Sequence, residues 1–105
     1  MSVSTHVLDA VAGRPAAGIA VRLYAGDDLL AEGTTDDDGR CRLTGQATGA
    51  GAHRLVFATG PWFAARGVTA FWPEVTLAFA VTEPAASHHV PLLLSPFAYS
   101  TYRGS

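Results

Sequence analysis

Apolar and polar residues alternate with a period of two along most of the chain, the pattern of strands half-buried against a core. The cleanest run is residues 75–82, where Val75, Leu77, Phe79 and Val81 interleave with Thr76, Ala78, Ala80 and Thr82. Ile19, Val21 and Leu23 alternate in the same way with Ala20, Arg22 and Tyr24. Shorter runs at residues 3–8, 29–35, 41–44, 53–58, 88–95 and 99–103 complete the set. Turn signals separate them: Gly13-Arg14-Pro15, Gly26-Asp27-Asp28, a small-residue loop at 45–51, Glu83-Pro84 and Ser95-Pro96. Asp36-Asp37-Asp38-Gly39 is a strong hairpin signal, because Asp-Gly supplies the positive φ of a tight turn. It predicts that 41–44 returns alongside 29–35, with Arg40 at the start of the returning strand. The alternation breaks at 61–66, where Pro61 opens and Gly67 closes a helix of one or two turns. Seven to eight short strands and one short helix predict an all-β fold, an antiparallel β-sandwich in a single domain, 1–105.

The same alternation says where polar side chains point. Val3, Thr5 and Val7 share one face of the first strand, and Ser4, His6 and Leu8 share the other. In 88–95, Val90, Leu92 and Leu94 make the core face, while His89, Pro91 and Leu93 face away. His6 and His89 thus lie on the face opposite the valine-rich one. Leu8, Pro91 and Leu93 share that face, and apolar residues outside a sandwich point to a second subunit. Pro91 has no N–H for a ladder, so it belongs at an edge or where that N–H would point outward.

Composition narrows the classes of function. The chain has 105 residues, 49% of them hydrophobic and 15% charged, which suits one packed core and excludes a disordered chain. A formal charge of −2 gives no electrostatic case for nucleic acid or an anionic membrane. No apolar run approaches the roughly 18 residues that span a bilayer. The first residues lack a basic region followed by an apolar one, so no secretory signal is expected and the expected location is cytoplasmic. One cysteine, Cys41, forms no intrachain disulfide.

Candidate chemistry is sparse when residues are taken singly. A zinc site would have to draw on His6, His53, one of His88 or His89, and Cys41, and no C-x-x-C or H-x-x-x-H spacing supports it. Asp36 to Asp38 lack the later bidentate glutamate of a calcium loop, so turn chemistry explains them better. No G-x-S-x-G marks a nucleophilic serine. No metal and no cofactor are expected.

Taken as an ordered set, the motifs are specific. S-T-H-V-L-D at 4–9, G-R-P-A at 13–16, D-G-R at 38–40, F-W-P-E-V at 71–75 and H-V-P-L-L-L-S-P-F-A-Y-S-T-Y-R-G-S at 89–105 resemble the 5-hydroxyisourate hydrolase family, the transthyretin-related enzymes of urate breakdown. The terminal Tyr102-Arg103-Gly104-Ser105 is the most specific mark. The resemblance implies a transthyretin-like sandwich and a homotetramer, a dimer of dimers with active sites in a central channel. It also implies site residues His6, Arg40, His89, Tyr102, Arg103, Gly104 and Ser105. One departure stands out: Ser87-His88-His89 replaces the family's usual tyrosine between two histidines.

The implied reaction opens the six-membered ring of a planar, carbonyl-rich purine derivative by hydrolysing a cyclic amide-like bond. Neutral imidazole is a base near pH 7, so His6 and His89 are assigned to water activation and proton transfer. Arg40 would bind and polarise the substrate, since a planar guanidinium matches adjacent carbonyls. Arg103 would hold the tail or the substrate, and Ser105 would supply a hydroxyl or its carboxylate. The competing reading is a transthyretin-like carrier of a small ligand, which would bind without turnover.

Overall fold

Short β-rich segments punctuated by Gly, Pro and Asp fold into two stacked sheets in the computed structural model, which describes residues 2–44 and 49–105. In chain order the elements are β1 Ser2–Asp9, β2 Arg14–Pro15, β3 Ala20–Ala25, β4 Asp28–Thr34, β5 Arg40–Thr44 and β6 Gly51–Phe57. There follow α1 Thr59–Ala65, β7 Val75–Val81, β8 Ser87–Leu94 and β9 Tyr99–Thr101. The expected loop at 45–51 lies mostly outside the described residues, which resume at Gly49.

One sheet runs β4-β3-β6-β7, antiparallel throughout. The other runs β2-β1-β8-β9, with β5 also on β1. β5 pairs with Ser2 to His6 of β1, and the two-residue β2 pairs with Leu8 and Asp9. Along its other flank β1 pairs with β8 over its whole length, from Ser2 opposite Ser87 to Asp9 opposite Leu94. That pair is parallel, the exception in an otherwise antiparallel sandwich.

Between the sheets, Val3, Val7, Leu92 and Leu94 meet Val21, Leu23, Leu55, Phe57 and Val75, all essentially inaccessible to solvent. Fully burying one such side chain contributes roughly 1.5–3 kcal/mol, so this layer, rather than the short outer ladders, fixes how the sheets stack. The buried Thr35 hydroxyl is satisfied there. Thr35 Oγ1 donates to the Ala16 carbonyl at 2.7 Å and accepts from the Ile19 N–H at 2.9 Å.

The helix begins two residues earlier than the proline suggested. Ala58 caps it without a side-chain hydrogen bond, and Pro61 falls inside the first turn, where its missing N–H costs nothing. Trp62 and Phe63 face the core, Trp62 Nε1 donates to the Ala17 carbonyl at 2.7 Å, and the Arg66 guanidinium stacks 3.8 Å from the Trp62 ring.

The hairpin expected at Asp36 to Gly39 is instead a corner between sheets. The turn itself forms: Asp36 Oδ1 accepts from the N–H groups of Asp38 and Arg40, both at 2.9 Å, and Gly39 has φ 75°. Yet β4 ladders with β3, and β5 ladders with β1. Two ties pull the strands apart. Thr35 is held to the 16–19 segment, and the Gly39 carbonyl accepts from Val7 N at 2.8 Å. A side chain on Gly39 would run into the Val7 carbonyl, so the turn can lie on β1 only as glycine.

Candidate active site

Register on β1 brings the candidate residues together. His6 lies across from Arg40 on β5 and from Pro91 on β8. Two residues earlier, Ser4 lies across from Arg42 and His89. Paired residues in a sheet point to the same face. Ser4, His6, Arg40, Arg42 and His89 therefore share the outer face of this sheet, as parity predicts for both histidines. Arg40 reaches its place because the corner turn delivers it to β1 beside His6.

His89 is held on two sides. Its Nδ1 lies 2.8 Å from Ser4 Oγ. Its carbonyl accepts from Gly104 N at 2.9 Å, which brings the tail back over the strand. A Cβ on Gly104 would fall 3.0 Å from Cγ and 3.2 Å from Cβ of His89, and closer still to Cδ2. No positive φ is involved. Glycine is required here because the imidazole occupies the space a side chain would need.

Pro91 shapes the same stretch. β8 is not an edge strand, since β1 flanks one side and β9 the other. The carbonyls of His89 and Pro91 both turn toward the tail, the first to Gly104 N and the second to Thr101 Oγ1 at 2.7 Å. Pro91 offers no N–H there. The ladder from Leu94–Tyr99 to Leu92–Thr101 lapses across Tyr102 and Arg103 and resumes in the same register at Gly104.

The tail then divides two openings. A cleft of about 350 Å³ is lined by Ser4, Asp36, Arg40, Arg42, His89 and Ser105, among others. A larger one of about 1010 Å³ lies between β7 and the tail, where Thr76, Phe79, His88, Tyr102 and Arg103 contribute. His89 and Ser105 border both. Arg40, His89 and Ser105 are thus assembled around one cleft, whereas Tyr102 and Arg103 open to the other side. His6 stands beside Arg40 without lining either opening.

Burial lowers the His89 pKa below the ordinary histidine value of 6.5, helped by the Arg40 guanidinium and by His6, while the Ser4 backbone opposes the shift. The imidazole is therefore neutral at neutral pH.

The residues weighed for zinc are dispersed. Cys41 sits in the core on the inner face of β5, its thiol pushed up by burial and then by Asp36. His53 is buried on the second sheet, its ring 6.0 Å from that of Phe79, and His88 approaches Phe79 at 6.3 Å from the opposite side of β8 to His89. Among the described residues, no cluster of three His, Cys, Asp or Glu that could hold a metal is present.

Sequence reading gave no site role to Ser4 or Asp36. Ser4 carried one usable signal, its parity with His6 two positions away. Asp36 carried another, as the side chain that closes the turn on the Arg40 N–H.

The sequence model of the HIUase/Transthyretin family matches residues 3–104. The 5-hydroxyisourate hydrolase of Caulobacter vibrioides is 46% identical over 112 residues, covering 98% of this chain and 97% of that protein. Among solved structures, Klebsiella pneumoniae 5-hydroxyisourate hydrolase superposes with a TM-score of 0.91 at 34% identity, covering all of both chains. Sea bream transthyretin in complex with thyroxine gives a TM-score of 0.85 at 31% identity, covering 97% of this chain and 93% of that one.

Proposed function

The chain belongs to the HIUase/Transthyretin family, and from that premise we propose that it is a 5-hydroxyisourate hydrolase of urate degradation. It opens the six-membered ring of its substrate to give 2-oxo-4-hydroxy-4-carboxy-5-ureidoimidazoline. The observation that carries the assignment to this site is the His89 imidazole sharing a cleft with the Arg40 guanidinium, with burial lowering the histidine's pKa.

Arg40 binds and polarises a ring carbonyl through directed N–H donors. His89 and His6 do the proton work. As the water oxygen bonds to the carbonyl carbon, an imidazole takes one of its protons. The ring C–N bond then breaks, the departing nitrogen receives that proton, and the carbonyl carbon stays attached to the product as a carboxyl group. Positive charge on Arg40 offsets the negative charge that develops on the carbonyl oxygen during attack. Tyr102, Arg103 and Gly104 shape the tail side of the site, and Ser105 offers a hydroxyl to orient water or a histidine. A homotetramer acting in the cytoplasm without a cofactor completes the reading. Association between copies is supported by the half-buried leucines that share the histidine face.

The test is turnover. 5-Hydroxyisourate is generated in situ from urate by urate oxidase, and its ultraviolet decay is followed with and without the protein. Acceleration over spontaneous decay is expected, and its absence would end the enzyme reading in favour of a carrier. General acid–base catalysis contributes about 10²–10⁴-fold, so His89→Ala and His6→Ala should each lower kcat by at least about tenfold, with fold and assembly unchanged.

A further inference from the structure

The hydrolase reading leaves open which nitrogen of His89 does the proton transfer, and the surroundings of the ring bear on it. Nδ1 is engaged with Ser4 Oγ at 2.8 Å, a contact between residues 85 positions apart in sequence. Ser4 is not on a loop. It sits in the central strand β1, laddered to Arg42 on one side and to His89 on the other. Gly104 leaves no room between the tail and the ring. A half-turn of the imidazole would put Cδ2 against Ser4 and lose the hydrogen bond.

We propose that Ser4 is a positioning residue for the hydrolysis: it keeps the proton of neutral His89 on Nδ1, so that Nε2 is the atom that takes the proton from water. Resting on the proposed hydrolase activity, this deepens it by naming the base atom and the group that sets it. With Nδ1 taken up by Ser4, Nε2 is the ring nitrogen left to meet water. To act as base it must be bare, so the single proton of the neutral ring sits on Nδ1. Nδ1–H then donates to the Ser4 hydroxyl oxygen, whose own hydrogen stays available for water or substrate. A ring without this partner prefers the other tautomer, with Nε2 protonated and unable to act as base. The two ring nitrogens are distinct, and the partner of one decides what the other can do.

The experiment is nitrogen-15 NMR of histidine-labelled protein at a pH where His89 is neutral, run beside steady-state kinetics. Wild-type His89 should show a protonated Nδ1 and a bare Nε2. Ser4→Ala should raise the Nε2-protonated population and lower kcat about tenfold, with KM near that of the wild type. Ser4→Thr keeps a hydroxyl and should restore both the wild-type tautomer and most of kcat. A wild-type His89 protonated on Nε2 would overturn the proposal. So would a Ser4→Ala protein in which tautomer and kcat do not change together. If Ser4→Ala does not fold, the wild-type spectrum and the Ser4→Thr variant still decide. Turnover by the wild type tests the hydrolase reading, and the tautomer is read without substrate, so the two fail separately.

Discussion

His89 carries the most physical information of any residue in the site. Its lowered pKa has burial as its first cause and the Arg40 guanidinium as its second. A lowered pKa means that the neutral base persists as pH falls below 6.5, and that activity is lost only once pH passes below the folded-state value. The same sign applies to stability. Between 6.5 and that lower value the unfolded chain binds the proton first, so this group favours unfolding progressively as pH falls through the window. An NMR titration of wild-type His89 should therefore give a midpoint below 6.5. Arg40→Gln should raise it part of the way back, because the burial contribution remains. A midpoint at or above 6.5, or one indifferent to Arg40→Gln, would contradict the electrostatic account. Parity placed His6 and His89 on one face because the period of a strand is two. The role of Ser4 was not legible, for a different reason. Its bond to His89 depends on the parallel register of β1 and β8, which no local pattern in either strand encodes.

At the scale of elements, the longer strands and the helix were legible in the alternation and its punctuation, while sheet membership and the two-residue β2, read as part of the Gly13-Arg14-Pro15 turn, were not. The corner at Asp36 to Gly39 has every local feature of a hairpin turn, and what separates β4 from β5 is their ties to other segments. Those strands still pack face to face. A Cβ added at Gly33 on β4 would lie 2.8 Å from Cys41 Sγ and 3.4 Å from Leu43 Cδ2 on β5. Gly33 is therefore a spacer between the sheets, in a conformation other residues adopt freely. Gly33→Ala should destabilise the fold by about 1–3 kcal/mol through overpacking, measured by denaturant unfolding. Removing the sulfur makes room. Gly33→Ala combined with Cys41→Ala should be more stable than the sum of the two single changes predicts, since neighbouring sites are not additive. A fully stable Gly33→Ala, or strict additivity, would show that the sheets give way more easily than this packing suggests.

For the whole molecule, the informative surface is the outer face of the β2-β1-β8-β9 sheet. Leu8 and Leu93 are register partners there, both half-buried, and they continue the rows that hold His6 opposite Pro91 and Ser4 opposite His89. A face that combines the proposed catalytic groups with paired leucines suits burial against another copy of the chain, as the proposed tetramer requires. It also means that assembly and catalysis share a surface, so a single change beside the site should move both. Leu93→Glu tests this with little risk to the fold, because its neighbours Leu92 and Leu94 hold the core side of β8. Burying an unpaired carboxylate costs several kcal/mol. Each 1.4 kcal/mol is about tenfold in an association constant, so association should weaken at least about a hundredfold. Sedimentation equilibrium should give tetramers of the 10.9 kDa chain for the wild type and smaller species for Leu93→Glu, with β-sheet circular dichroism retained and turnover reduced. A Leu93→Glu protein that remains tetrameric and fully active would place the interface elsewhere. A dissociated but fully active one would show that each chain builds a complete site alone. That outcome would leave His6, beside the cleft but not lining it, without the second subunit that otherwise explains its position.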